Sequence, residues 1–317
     1  MINTKKTLTF TTADFDSIVL ANGVNNTVSY QQAYPEIRRV NGRILTQTVK
    51  EFLYKNNLIS ESELNDPELD KLIIARGIFA AFASGLLSLN ATKQTGIIGY
   101  TPVRMSTGLD GKMKDVWSFS TLSLCNPFCV KRMQNKDLVC GYCYVPATLH
   151  IDGILQYVQN FYVLNSGPLP ECWIPEIRVS NSILHPIIRL ESFGDLFSKI
   201  QAENYFSIAN KNPIFRFGLW TKNPAVFAAA ADEMGKPSNL SSVYSMSRIN
   251  QMDKNPGKWT LYFDHMFVVV DSDEIKEKFL IDPDFYTCKC GPRSCIECQA
   301  CYKKPVRITT AVEKLRK

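Results

Sequence analysis

Apolar positions recur first at helical spacing. Thr48 to Asn57 and Ser60 to Ile74 carry that period, with Ser60 and Glu63 placed as a capping box. Leu69 to Leu89 reads as one buried helix. Its most apolar stretch, Gly77 to Leu89, is about 13 residues, too short to span a bilayer. From about residue 94 the pattern changes to short apolar runs alternating with helical segments. Thr95 to Pro102 and Val116 to Leu124 have strand composition, and His150 to Leu164 predicts a helix. Three units follow. Pro186 to Glu191 is a strand followed by helical Asp195 to Ala209, Ile214 to Thr221 a strand followed by helical Pro224 to Met234, and Leu240 to Ser247 a third strand. Trp259 to Asp271 adds one or two more. Successive strands of the three units begin about 27 residues apart, the period of a β/α barrel or another parallel sheet.

The predicted fold class is therefore α/β, a partial or complete β/α barrel over residues 94–281 with the first cysteine group. A mixed, mainly helical region (1–93) precedes it and a Cys-rich tail (282–317) follows. Polar residues gather where the strands end: Glu191, Ser192, Gly194 and Asp195; Thr221, Lys222 and Asn223; Ser245, Ser247 and Arg248. Asp264 and His265 lie within the fourth strand region. Ligands of parallel β/α folds sit at the carboxyl ends of strands, so these residues form one candidate site.

Composition narrows the class. With 317 residues, 45% hydrophobic and 21% charged, the chain can bury a core without disulfides, which excludes disorder, collagen and simple coiled coil. A net charge of +6, from 36 basic and 30 acidic residues, permits an acidic partner without demanding one. The amino-terminal MINTKKTLTF lacks the apolar run of a secretory signal, which predicts a reducing, cytoplasmic setting and no membrane span. There, clustered thiols favour metal over disulfides.

Nine of the ten cysteines fall in two groups; Cys172 stands alone. The first group is Cys125, Cys129, Cys140 and Cys143, two close pairs that can wrap one metal centre. The second is Cys288, Cys290, Cys295, Cys298 and Cys301, whose last three follow one another at x2 spacing, as in ferredoxin runs. Either Cys288 or Cys290 would supply the fourth tail ligand, with Gly291 and Pro292 providing the turn. Soft all-sulfur donors exclude magnesium, calcium and manganese, leaving an iron–sulfur cluster, of the 4Fe–4S type and two in number, with zinc as the alternative.

Cys125-Asn126-Pro127-Phe128-Cys129 and, after an interruption carrying Cys140, Tyr142-Cys143 resemble the cysteine signature of radical S-adenosylmethionine enzymes. Gly194-Asp195 is similar to the Gly-Gly-Glu by which that family holds the methionine amino group, and Thr221-Lys222-Asn223 to its Thr-Asn-Gly. The tail resembles the auxiliary-cluster extensions of such enzymes. Cys143-Tyr144, Glu191-Ser192-Phe193-Gly194-Asp195 with Ser198, and the final cysteines also resemble the phage gene product 88 family, over about residues 94–305. That resemblance implies a host-cytoplasm protein of uncharacterised activity.

The radical-enzyme resemblance implies a barrel and a cluster with ligands Cys125, Cys129 and Cys143. Cofactor contacts would come from Glu191, Gly194, Asp195, Thr221, Asn223 and Ser245; the substrate is unknown, and a reductant protein would be the partner. A cluster with three protein ligands keeps one iron open to S-adenosylmethionine, whereas four thiolates would leave none. The competing expectation is a non-catalytic protein with metal-stapled loops that grips nucleic acid or a protein. The basic runs Val130 to Lys136 and Tyr302 to Arg307 would meet phosphates. Of the histidines, His150 could replace a cysteine ligand, His185 reads as structural and His265 as a satisfied core residue. No nucleotide-binding glycine loop, Ser-His-Asp set or HExxH helix is present.

Overall fold

The computed structural model describes residues 50–51, 54–55, 57, 60–65, 70–83, 89, 91, 93–108, 111–145, 151–179, 186–251, 257–288 and 294–315. Half of the predicted helix Thr48 to Asn57, residues 84–88 of the helix predicted to reach Leu89, and His150, His185 and Cys290 lie outside them.

The predicted Ser60–Glu63 capping box is present and opens helix α1 (Glu61–Leu64). Helix α2 (Asp70–Ala83) buries Ile74, Ala75, Ile78, Phe79 and Phe82. Strand β1 (Ile97–Ile98) is all that the run Thr95 to Pro102 contributes. It pairs antiparallel with β4 (Glu176–Ile177) in a separate two-stranded sheet. The main sheet begins with β2 (Met105–Thr107) and β3 (Trp117–Phe119), and helix α3 (Pro127–Met133) follows β3. Helix α4 (Ile151–Asn165) packs on α2 through Phe79 and Phe161, 5.8 Å between ring centroids.

Next come β5 (Ile187–Leu190), α5 (Lys199–Lys211), β6 (Arg216–Thr221), α6 (Pro224–Met234) and β7 (Leu240–Ser245). Ser198 caps α5, Pro224 occupies the first turn of α6, and Gly235 ends α6 at a φ of 73°, a conformation suited to glycine. Strand β8 (His265–Val270) and helix α7 (Asp273–Leu280) follow. The Cys-rich segment is not a separate appendage. Its β9 (Phe285–Thr287) and β10 (Thr309–Lys314) extend the same sheet, with the short helix α8 (Cys295–Cys298) between them.

The sheet has eight strands in the order β2-β3-β5-β6-β7-β8-β10-β9, all parallel from β3 onward; β2 runs antiparallel. It does not close into a barrel: among the described residues, edge strands β2 and β9 do not pair. Yet Lys112, just before β3, reaches Glu313 of β10 at 2.5 Å. In a flat sheet β3 and β10 would lie five strand spacings apart, roughly 24 Å. The ion pair therefore requires a strongly curled sheet.

Strand order follows chain order through β3, β5, β6, β7 and β8, so successive right-handed crossovers advance in one direction and deliver their helices to one face. That outer face carries Ile188, Leu190, Phe217, Leu219, Leu240, Met266 and Val268, packed with Tyr205, Phe206 and Phe227 of α5 and α6. The alternate residues face inward. There Ile187 and Val116 meet Tyr302, Cys295 and Ile296 from the tail, so the Cys-rich segment covers the concave face. Gly218 is the contact point. A Cβ on it would come within 2.7 Å of the Trp220 ring and 2.8 Å of the Tyr302 ring. Gly218→Ala should therefore lose about 1–3 kcal/mol of stability by overpacking. Chemical denaturation should show this together with faster proteolysis near Tyr302; an unchanged midpoint would mean the tail does not sit on β6.

Candidate metal centre

The first cysteine loop is shaped by its own caps. After β3 the chain makes a single tight turn at Ser123–Cys125, and Asn126 caps α3 by accepting from the Phe128 N–H at 3.0 Å. The same Asn126 amide donates to the Asp195 carbonyl at 2.9 Å, tying this loop to the one after β5. Arg132 covers the Phe128 ring at 4.2 Å and bonds Ser247 beyond β7. Val139 N–H donates to the Ser247 carbonyl at 2.9 Å, and Leu138 bridges Arg248. The interruption between Cys129 and Cys140 thus runs from the end of β3 to the end of β7 and back. It folds tightly on itself at Gly141, where a Cβ would lie 2.3 Å from the Asn135 carbonyl oxygen.

This path places Cys129, Cys140 and Cys143 within charge reach of one another at the carboxyl ends of the strands. Burial raises the thiol pKa of all three, and Cys140 raises both Cys129 and Cys143 further by charge repulsion. The Lys222 ammonium lies among them. Its own burial works to lower its pKa, but Cys140, Asp195, Cys129 and Cys143 outweigh that and hold it above the ordinary value. Cys125 is not brought into this set. Its thiol points to α2, 3.7 Å from the Ala75 carbonyl, and burial alone holds its pKa well above the ordinary range.

The predicted cofactor contacts also meet at this end of the sheet, and they contact one another. Asp195 accepts from the Thr221 hydroxyl at 2.5 Å, the Leu196 N–H at 2.8 Å and the Lys222 N–H at 3.0 Å. Burial nevertheless raises its pKa. Asn223 donates to the Leu196 carbonyl at 3.2 Å. Glu191 is buried with a φ of 60° and accepts from Tyr205 at 2.6 Å, Gln201 at 2.5 Å and the Thr121 hydroxyl at 2.9 Å. At Gly194 a Cβ would come within 2.5 Å of Thr121 and Glu191 side-chain oxygens, so only glycine lets this turn approach so closely. Ser245 ends β7 beside Phe267, on the inner face. Glu191, Asp195 and Thr221 thus work first as the frame of the loops that carry the cysteines.

The tail makes a second gathering on the inner face. The Tyr286 hydroxyl lies 3.4 Å from the Cys301 sulfur, and Cys301, Cys288 and Cys298 all act on Tyr286 by charge. Burial pushes the Cys301 thiol up to about 11. Cys295 packs toward Val116, Ile187 and Tyr302. Sequence reasoning gave no role to Arg189, Lys112 or Tyr144, which stand between the two cysteine groups. Arg189 acts by charge on Tyr144, Lys112 and Cys301, and Tyr144 feels Cys143 and Lys222 as well. The alternating polar position in the apolar strand at Arg189 was the available signal.

His265 is a satisfied core residue. It is buried, with Nδ1 2.9 Å from the Thr309 hydroxyl and Nε2 2.8 Å from the Lys303 carbonyl, and burial lowers its pKa. The basic runs are partly engaged within the fold: Lys136 donates to the Gly141 carbonyl at 2.7 Å and Arg307 pairs with Asp284 at 2.6 Å. Cys172 is exposed. Among the described residues, no three His, Cys, Asp or Glu side chains form a group that could hold a metal ion as they stand. No helix of the described residues is long and apolar enough to cross a membrane.

Burial raises the Glu191 carboxyl to about 7, against the hydrogen bonds from Tyr205 and Thr121. The folded state therefore holds this proton more tightly than the unfolded chain. Its contribution to stability is complete below about pH 4.5 and is lost as pH rises through 7. Glu191→Gln should flatten the decline in denaturation free energy between those limits by roughly 3 kcal/mol. Equal slopes for the variant and the parent would place the titration elsewhere.

Residues 173–311, from just before β4 into β10, match the model of the family described as Gene product 88. The match includes the tail cysteines, Asp195 and Lys222 but not the first cysteine loop. No curated protein and no solved structure matches the chain.

Proposed function

We propose that the chain is an iron–sulfur protein related to the gene product 88 family, with its reactive centre on Cys129, Cys140 and Cys143. The observation that carries this reading is the gathering of these three thiols around Lys222, with Asp195, at the carboxyl ends of successive parallel strands. The donor set fits. It is entirely sulfur, which selects iron–sulfur clusters, zinc or cuprous copper over harder ions. A mononuclear zinc with bonds of about 2.3 Å needs sulfurs within about 4 Å of one another. The thiols lie within charge reach of one another without forming such a ready-made group, so the reading rests on the all-sulfur donor chemistry and the Lys222 counter-charge.

With the thiols protonated by burial, metal entry must displace protons, and the Lys222 ammonium balances the negative charge that results. Three ligands would leave one iron position for a further molecule. The Gly194-Asp195 turn and Thr221-Lys222-Asn223 resemble S-adenosylmethionine contacts, which makes that molecule the candidate, although the signature's first cysteine, Cys125, lies outside the proposed ligand set. The order of these features along the first, second and third parallel strands supports it. Such a centre would supply an electron and the open coordination site; a separate reductant protein would recharge it. The chain's own residues orient and enclose: Asp195 and Thr221 lock the loop ends, and the 130–139 excursion caps them. The tail thiols Cys288, Cys298 and Cys301 would hold a second centre, with Cys290 or Cys295 completing it. A host-cytoplasm setting follows, since both centres need a reducing compartment.

The variants separate the two cysteine roles. Cys129→Ser, Cys140→Ser or Cys143→Ser in anaerobically purified protein should lower iron and acid-labile sulfide by one cluster. Cys125→Ser should leave both counts unchanged. S-adenosylmethionine added to the parent should shift the electron paramagnetic resonance signal, and Cys298→Ser should remove only the tail centre. Zinc in place of iron, or equal losses in the Cys125 and Cys129 variants, would contradict the assignment.

A further inference from the structure

The tail covers the inner face of the sheet without satisfying all of its polar atoms. Arg189 of β5, Gly218 of β6 and Ser241 of β7 lie in one cross-strand row, with Ser118 of β3 beside Arg189. Tyr302 fills the space over Gly218. In this row Arg189 Nε and Ser241 Oγ are buried without a hydrogen-bond partner, as is Ser192 Oγ just beyond β5. Burial raises the pKa of the Tyr302 hydroxyl, and the adjacent Arg189 guanidinium opposes that rise by charge and by hydrogen bonding. Unpartnered buried polar atoms are rare, so several in one neighbourhood call for a group that would complete them.

Arg189 indicates the charge of that group. Its guanidinium carbon lies over the Trp220 ring, 3.4 Å from the centroid, and a guanidinium supported on an aromatic ring suits a two-point contact with an oxyanion. Among the described residues no carboxylate pairs with it, and Lys112, which does pair with Glu313, repels it. A partly buried guanidinium beside a like charge is unfavourable until an oxyanion joins it. Tyr144 connects this position to the first cysteine group: its hydroxyl donates to the Ser192 carbonyl at 2.8 Å, and it lies within charge reach of Cys143 and Arg189.

We propose that the inner face around Arg189 binds the carboxylate or phosphate of a small-molecule substrate, gripped by the guanidinium that Trp220 supports. This rests on the reading of Cys129, Cys140 and Cys143 as the reactive centre beside it. A substrate anchored here would lie between the two cysteine groups, with Tyr144 at the side of the reactive one.

Trp220 provides the readout. Tryptophan fluorescence of the full chain should be titrated with inorganic phosphate and, separately, with succinate at constant ionic strength, chloride serving as the control. The expected result is a saturable change with one of the two anions and none with chloride. Arg189→Met should weaken it at least tenfold, Arg189→Lys should weaken it less, and Trp220→Phe should abolish the signal. Iron content should be unchanged in both Arg189 variants, which keeps this test separate from that of the metal centre. Non-saturable titrations, or equal affinity in Arg189→Met and the parent, would overturn the proposal. So would loss of tail iron in that variant, because Arg189 would then be the counter-charge of the tail thiols. If Arg189→Met fails to fold, the parent, Arg189→Lys and Trp220→Phe titrations decide.

Discussion

The hydrogen bond from Thr221 to the Asp195 carboxylate, reinforced by the Lys222 and Leu196 backbone N–H groups, holds the functional end of the sheet in place. It joins the loop after β5 to the end of β6. The Asn126 side chain joins that same loop to the first cysteine helix. Glu191, which accepts from the Thr121 hydroxyl, adds a second link between the ends of β3 and β5. Burial costs the Asp195 carboxylate more than its donors and the Lys222 charge return, so its pKa stays above the ordinary value, and removing one donor would leave the buried group still less compensated.

Two consequences follow from the one-directional winding of the sheet. The helices collect on the outer face, where Phe206, Phe227 and Phe263 build the core. The inner face, left without helices, is filled by the chain's own Cys-rich segment, which then returns to the sheet as β10. The fold therefore sets one cysteine group at the rim and the other on the concave wall. Arg189, Lys112 and Tyr144 lie in the space between, where charged groups act on one another with less screening than at the surface.

Much of this was legible in the sequence. The apolar strands Ile187–Leu190, Arg216–Thr221, Leu240–Ser245 and His265–Val270 stand out from the helical spacing around them, and the Asn223-Pro224 start with Gly235 fixes α6. The convergence of Asp195 and Thr221 followed from the rule about strand ends. Other features were not legible, for physical reasons. Thr309–Lys314 is a short run in a basic context, and its place between β8 and β9 depends on long-range pairing that local pattern does not encode. Val116 to Leu124 yields only Trp117–Phe119 as strand, because a tight turn at Ser123–Cys125 redirects the chain into the cap of α3. Cysteine spacing counts sulfurs but not side-chain directions, so the turn of Cys125 toward Ala75 was hidden. The engagement of Glu191 by Tyr205 and Gln201 was hidden in the same way.

The central claim is that the three strand-end thiols, together with the tail, hold iron–sulfur centres. The most direct measurement is the visible absorption spectrum of the parent protein purified without oxygen, with iron and acid-labile sulfide counted per chain. The account predicts a brown protein with a broad visible band that bleaches on reduction, and iron and sulfide in equal numbers. A colourless protein carrying stoichiometric zinc, or no metal at all, would contradict it.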